Sequence, residues 1–458
     1  MRLPHPEEGF FKNLLTLAVP MMLQSLVSFL VGFADNLMVG SLGEIAISGV
    51  YLGNQPQTLL QNIIIGVDSA MLILAAQYWG RRDTDSIKRL FVIALRIAMS
   101  LAVVFTVATL IAPRQLLHLF IQDEIVIEEG MRYLAYVRWS YLIFAASQLL
   151  ITSMRSVETV KVGMYSSFIS LGINVVLNYI LIFGKLGAPK MGIAGAALAT
   201  LISRAVEFAV AFIYVFFMDQ KLQLKFTDLL HSSRTLLKDF IKYGAPIIAG
   251  WVVWGINGTV QGAIVGSLGA GAASAVSIYS MSRQMLNVVL SSTSGAIGIM
   301  TGKLVGAGEV ERVKNHARVV QLLFLCIGLG GCLLINLIKG PFISLYTLTE
   351  ETKLLAKQIM TSFSFLFIGT AYQGYSLGSL VKAGGDTKFV FINDTIFVFG
   401  FVLPAAFVTR YILDAPAWVV FTILHSDEIL KCPVAFVKIN RFKWIKNLTR
   451  SKEELAAK

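Results

Sequence analysis

The chain has 458 residues, of which 56% are hydrophobic and only 14% charged, with a mean hydropathy of +0.71 and a formal net charge of +12. Soluble domains average about 25% charged residues, so this composition excludes an ordinary soluble protein and identifies a membrane protein. The basic excess forms no nucleic-acid patch; it lies in short clusters between apolar runs of about 20 residues, the length that crosses a bilayer, so no nucleic-acid partner is expected.

The N-terminal MRLPHPEEGFFKN is acidic and aromatic and no small-residue cleavage site follows it, so a removed signal peptide is not expected. The first apolar segment, Leu14 to Leu42, carries a single acid, Asp35, among apolar and small residues. A charge inside a bilayer is costly enough to be a functional-site hypothesis by default. Helical spacing places Gln24, Ser28 and Asp35 on one face, which requires a polar cavity. Pro20 removes a backbone hydrogen bond in the same helix and predicts a hinge there. If the helix begins near Leu14, Asp35 sits roughly 30 Å from the inner surface, in the outer half of the bilayer.

Further runs of spanning length fall near 52–77, 91–112, 132–154, 163–184 and 193–217. Asp68 in the second run is a cavity-lining candidate. In the fifth, Ser167, Ser170, Asn174 and Asn178 recur at spacings of three and four and share a face. Their amide oxygens, with a carboxylate, are hard ligands that suit Na+ or a hydrogen-bonded proton, while interhelical hydrogen bonding explains the same pattern. Arg204 and Glu207, three apart in the sixth run, read as an ion pair along one helix.

A charged connector, 219–242, separates these six runs from six more near 244–266, 276–301, 318–338, 358–381, 389–410 and 416–437. The last is interrupted by His425, Asp427, Glu428 and Lys431. Arg283 lies early in the eighth run, where it can orient a charged solute or snorkel to the interface. Asp394, six residues after Lys388, is expected near the membrane surface. The tail KINRFKWIKNLTRSK suits anionic lipid headgroups. The expected architecture is an all-α polytopic membrane protein of twelve transmembrane helices: a first lobe over 1–218, the connector, a second lobe over 243–437 and a basic tail over 438–458. Of the 39 Lys and Arg residues, 27 fall in segments that are inner if the N-terminus is inside, against seven in outer loops, which puts both termini in the cytoplasm.

The two halves repeat. An offset of 226 sets Pro20 on Pro246 and, without a gap, Val39-Gly40-Ser41-Leu42-Gly43 on Val265-Gly266-Ser267-Leu268-Gly269. Further on, MRSVETVK falls near VKAGGDTK with a slip of one or two residues. Each half has an even number of spans, so the repeat is parallel, about an axis along the membrane normal, and a solute pathway is expected where the halves meet. The counterpart of Asp35 is Gln261, on a face with Asn257 and Trp254. The halves have diverged in charge, which favours a coupling role confined to the first. Trp254, Asn257 and Gln261 are cavity-lining candidates of the second.

No catalytic set is present. His5, His118, His231, His316 and His425 are scattered, without an HExxH pair or triad partner, and no GxxxxGK[ST] loop exists for ATP. Cys326, Cys332 and Cys432 lie in apolar surroundings without metal-type spacing. Neither an enzyme nor a cofactor is expected. Transport driven by an ion gradient remains.

The motifs AVPMMLQSLVSFLVGFADNLMVGSLG, AAQYWGRRDTDSIKR, GIAGAALATLISRAVEF, VGSLGAGAASAVSIYS, GKLVGAGEVERVKNHA and DEILKCPVAFVKINRFKWIKNLT, in this order, resemble the multidrug and toxic compound extrusion (MATE) family over nearly the whole chain. That resemblance implies a V-shaped pair of six-helix lobes exporting lipophilic, often cationic, drug-like compounds by antiport against H+ or Na+, acting from the cell membrane as a monomer. It assigns ion coupling to Asp35 with Asn174, Asn178 and Thr200, and bending of the first helix to Pro20. Where those members often carry Asp, this chain has Asn178, which removes a negative charge from an Na+ site. Where another branch carries a seventh-helix Glu, it has Trp254, and no acid lies between Phe363 and Val381, so a second-lobe Na+ site is not expected. Proton coupling through Asp35 is favoured, with Na+ at Asp35, Asn174 and Asn178 as the alternative. A flippase for lipid-linked saccharides is the competing transport reading, and a polytopic membrane enzyme the competing reading of another class.

Overall fold

The computed structural model describes residue 6 and residues 8–231, 233–346, 348–451 and 453–454; the N-terminal stretch with His5 and tail positions 452 and 455–458 lie outside it. Among the described residues all regular structure is helical. The first half contains α1 (Phe10–Gly40), α2 (Glu44–Gly53), α3 (Gln55–Gly80), α4 (Thr84–Ile111), the short α5 (Pro113–His118), α6 (Glu124–Val137), α7 (Ser140–Ser156), α8 (Lys161–Phe183) and α9 (Ile193–Ile213). The second half contains α10 (Arg234–Gly266), α11 (Ala270–Gly306), α12 (Val310–Ser344), α13 (Glu350–Gly369), α14 (Thr387–Thr395), α15 (Leu403–Phe407), α16 (Ala417–Leu424), α17 (Asp427–Leu430) and α18 (Cys432–Asn440). π-helical turns continue α13 from Thr370 to Tyr375 and from Leu377 to Lys382.

Ten helical stretches among the described residues are long and apolar enough to cross a membrane, and α6 with α7, bent by 51°, makes eleven. All twelve predicted runs are helical, but the last is not continuous: it consists of α16, α17 and α18, each shorter than a span. The surfaces fit a hydrocarbon solvent. On α1, Leu14, Leu17, Met21 and Val27 are buried, while Leu15, Leu26, Leu30, Phe33 and Leu37 are exposed. A helix apolar on every side is what a membrane span requires.

The chain divides into two compact units. Unit 1 comprises Met1–Ala18 and Ala245–Thr449; unit 2 comprises Val19–Gly244 and Arg450–Lys458. Two helices therefore change unit within their length, α1 between Ala18 and Val19 and α10 between Gly244 and Ala245. Each change falls just before the proline inside that helix, Pro20 in α1 and Pro246 in α10. The repeat register thus recurs in the way the backbone is shared out. It recurs again in conformation. Gly43 and Gly269, 226 apart, have φ of 106° and 98°, and each closes a tight turn, with Leu42 N–H donating to Val39 O at 2.9 Å and Leu268 N–H to Val265 O at 3.0 Å. Arg82 and Gly308, also 226 apart, are both left-handed, with φ of 57° and 77°.

Within unit 2, close backbone approaches bring the helices of the polar site together. A Cβ on Gly195 of α9 would come within 2.7 Å of the Leu181 carbonyl of α8, and one on Gly53 of α2 within 2.9 Å of Tyr133 Cδ1 on α6. The connector folds onto the same unit: Lys221 Nζ donates to Val157 O at 2.8 Å, Arg96 to Leu229 O at 2.9 Å, and Lys88 pairs with Asp228 at 3.3 Å. Within unit 1, Ile264, Val265, Ala406, Val420 and Leu424 form an apolar cluster joining α10, α15 and α16.

Candidate functional site

The polar face predicted on the fifth span is turned into unit 2. Asn174 and Asn178 of α8 are completely buried, and Ser167 and Ser170 nearly so. Asn178 Nδ2 donates to the Asp35 carboxylate of α1 and, at 3.1 Å, to Asn174 Oδ1. Asn174 Nδ2 lies 3.5 Å from Ser203 Oγ on α9. The acid, two amides and a serine thus form one hydrogen-bonded chain across three helices. Asn178 Oδ1 is buried without a hydrogen-bond partner among the described residues.

Asp35 opens on a cavity of about 270 Å³ lined wholly by unit 2. Ser28, Val31 and Gly32 of α1 form one wall, and Asn54, Gln57, Thr58 and Gln61 another. Tyr133, Ser167, Ser170, Thr200, Ser203, Arg204 and Glu207 complete it. The Tyr133 side chain faces this cavity together with Asn54 and Thr200. Arg204 faces Asp35 electrostatically, but its guanidinium is tied to Glu207 at 2.8 Å and lies over the Phe144 ring. This arrangement can hold one negative charge, exchange a proton at Asp35 and offer hydroxyls and amides to a small polar guest.

The architecture agrees with sequence comparison. The MatE family profile matches residues 20–180 and again 246–408, each stretch starting at one of the two repeat prolines. The chain belongs to the MatE family. Among curated relatives, the "Probable multidrug resistance protein NorM" of Thermotoga maritima is 26% identical over 455 residues, spanning 97% of this chain and 95% of that protein. The "Probable multidrug resistance protein YoeA" of Bacillus subtilis is 26% identical over 402 residues, spanning 86% and 85%. Among solved structures, a MOP superfamily transporter from Pyrococcus furiosus superposes with a TM-score of 0.83 at 19% identity over 94% of this chain and 96% of its own. The Vibrio cholerae MATE transporter VcmN in its bent form gives 0.79 at 18% identity over the same shares. These structures share the fold.

Against this MatE frame each predicted residue has a place. Asp35, Asn174 and Asn178 meet directly, and Ser28 and Thr200 line the same cavity. Gln24 does not: it is buried lower on α1, where its Oε1 accepts from Arg155 Nη2 at 2.7 Å. A Cβ on Gly163 would come within 2.9 Å of Gln24 Cδ, so glycine makes room for it. Asp68 joins that second network, accepting from the Thr152 hydroxyl and interacting electrostatically with Arg155. The face expected to be continuous along α1 is divided between two polar clusters.

The second-half candidates lie in unit 1. Trp254 is 55% exposed and packs edge-on against Trp251, with ring centroids 5.9 Å apart. Asn257 Oδ1 has no partner among the described residues, Gln261 Nε2 donates to Leu424 O at 3.0 Å, and Arg283 interacts electrostatically with Tyr279, Tyr375 and Glu428. Sequence reasoning missed Asn54, Gln57 and Tyr133. The polar run Asn54-Gln55-Pro56-Gln57, inside an otherwise apolar segment, was the signal available for the first two. Tyr133 carried none, because a tyrosine near a span end reads as an interfacial anchor.

Proposed function

We propose that this MatE protein is a secondary active exporter of lipophilic, drug-like cations, working by alternating access in antiport with protons. In this reading it acts as a monomer in the cell membrane, with both termini cytoplasmic. The relatives named as multidrug resistance proteins support the substrate class. The observation that carries the coupling is the direct bond between Asp35 and Asn178 at the edge of a polar cavity. An amide partner serves both states of an acid, donating N–H to the carboxylate and, turned over, presenting its oxygen to the protonated form. The unpartnered Asn178 Oδ1 is the oxygen that this turn would use.

Protons are favoured over Na+ on electrostatic grounds. The cavity offers Asp35 as its uncommitted acid, since Glu207 is paired with Arg204, and the nearby guanidinium opposes a second cation. Protonation cancels one charge without importing an ionic radius or a coordination shell. Bending at Pro20, where α1 passes from one compact unit to the other, is the movement assigned to the change of state.

The test is efflux of a fluorescent organic cation from proteoliposomes under imposed pH and Na+ gradients, applied separately. A pH gradient alone should drive transport, and Asp35→Asn should abolish it. Driving by Na+ alone, or undiminished coupled efflux by Asp35→Asn, would sink this reading.

A further inference from the structure

The broken last span of unit 1 holds a second carboxyl in the same chemical setting as Asp35. Between α16 and α18 the chain passes through His425, Asp427, Glu428 and Lys431. Two acids of this neighbourhood are bound to lysine: Lys431 Nζ donates to Asp427 Oδ2 at 2.8 Å and to Asp394 Oδ1, from α14, at 3.0 Å. Glu428 is not. Its Oε2 accepts from Gln373 Nε2 at 2.7 Å, and among the described residues no Lys or Arg nitrogen forms a salt bridge with it.

Gln373 is 3% exposed and sits on the π-helical turn Thr370–Tyr375. Such turns interrupt the regular ladder and cluster at functional sites. Gly369, just before it, packs against α17, where a Cβ would come within 2.9 Å of Ile429 Cδ1. The two interruptions face each other.

The other charged and titratable groups around Glu428 are accounted for. From α11, Arg283 acts on it through space, as do Asp427 and Lys431 on its own span. The Tyr279 hydroxyl lies 3.2 Å from His425 Nε2, and Tyr375, on the turn that carries Gln373, donates to Asn287 Oδ1 at 3.0 Å. On its own span, the Cys432 thiol donates to the Glu428 carbonyl at 3.2 Å.

This pairing parallels unit 2. Asp35 is bonded to the amide of Asn178 with Arg204 nearby and paired with Glu207; Glu428 is bonded to the amide of Gln373 with Arg283 nearby. A carboxylate bound to lysine loses an ion pair on protonation, whereas one bound to a primary amide keeps a hydrogen bond in either state once the amide turns over. We propose that Glu428, with Gln373, is a second proton-exchange site, so that each compact unit contains one acid–amide pair that takes a proton from water and returns it to water. Its place in the transport cycle rests on the antiport reading above; its protonation does not.

Infrared difference spectroscopy on the purified full-length protein, titrated between acid and alkaline pH, reads the carbonyl stretch of protonated carboxyl groups. Glu428→Gln should remove one titrating band and Glu428→Asp should shift it, while Asp35→Asn removes a different band and leaves that of Glu428 in place. A Glu428→Gln spectrum with every wild-type band would overturn the proposal, as would a Glu428→Asp spectrum with no shift if the Gln variant fails to fold. Loss of the Glu428 band together with an unchanged Asp35→Asn spectrum would overturn the Asp35 assignment and leave this one standing. In the vesicle assay, Glu428→Gln should lower the protons exchanged per substrate about twofold, the loss of one of two sites.

Discussion

Asn178, completely buried on α8, donates its side-chain amide to Asp35 on α1 and to Asn174 one turn away. The acid of the first span is therefore held by a neutral group that is itself fixed by a neighbour, while the nearest guanidinium is occupied by Glu207. Replacing Asn178 with Ala removes a hydrogen bond to a charged group, worth about 1.5–3 kcal/mol. Proton-driven efflux should fall about tenfold or more, and Asn178→Gln should recover less than half of it because the longer side chain misplaces the amide. Initial rates of dye efflux in vesicles report both.

Gly195 sets the spacing on which that contact depends. A methyl group there would meet the Leu181 carbonyl at 2.7 Å, and backbone cannot yield as a side chain does. Gly195→Ala should destabilise the protein by about 1–3 kcal/mol, the range for overpacking, and should lower transport by parting α8 from α9. A thermal melt in detergent measures the first effect; a variant with wild-type stability would contradict the tight approach.

Arg450 forms a two-nitrogen salt bridge with Asp239, which is 4% exposed, and its backbone N–H donates to the Tyr78 hydroxyl at 3.1 Å. Arg450→Ala would strand a buried carboxylate, and Arg450→Lys would keep the charge but lose the fork. Protection of the Tyr78 and Arg450 amides against hydrogen exchange should decrease in the order wild type, Lys, Ala.

Asp386 lies in the turn before α14, where Lys438 and Lys446 reach it at 2.7 and 2.9 Å. Burial by itself would raise its pKa, but the hydrogen bonds and charges of the two lysines outweigh burial and lower it. A carboxyl with a depressed folded pKa contributes stability at every pH above its unfolded value, about 3.9, and loses that contribution as pH falls through the folded value. Trp444, completely buried with its indole N–H donated to Ile439 O at 2.8 Å, reports on the docked tail. Its fluorescence should hold steady from neutral pH down to about 4 and change below. In Asp386→Asn the acid transition should disappear and docking should already be weaker at neutral pH.

Residue order alone determined the twelve helical runs and the repeat, and singled out Asp35 as the one acid of the first span. A run of about 20 apolar residues has to be helical in a bilayer, where its backbone has no other hydrogen-bond partners, and a charge inside such a run needs a cavity. The 3.6-residue period put Asn174 and Asn178 on one face before any contact was known. The tertiary structure decided which faces meet. Asp35 and Asn178 are 143 residues apart, Gln24 and Arg155 are 131 apart, and Gln373 and Glu428 are 55 apart. Periodicity says nothing about the rotation of one helix against another, so it could not separate Gln24 from Asp35 or bring Tyr133 to Thr200. The charges of the last span looked like an interruption of a membrane helix. They are stable there because the chain breaks into three short helices and aims Glu428 at an amide on a π-helical turn, a compensation that exists only once the helices are packed.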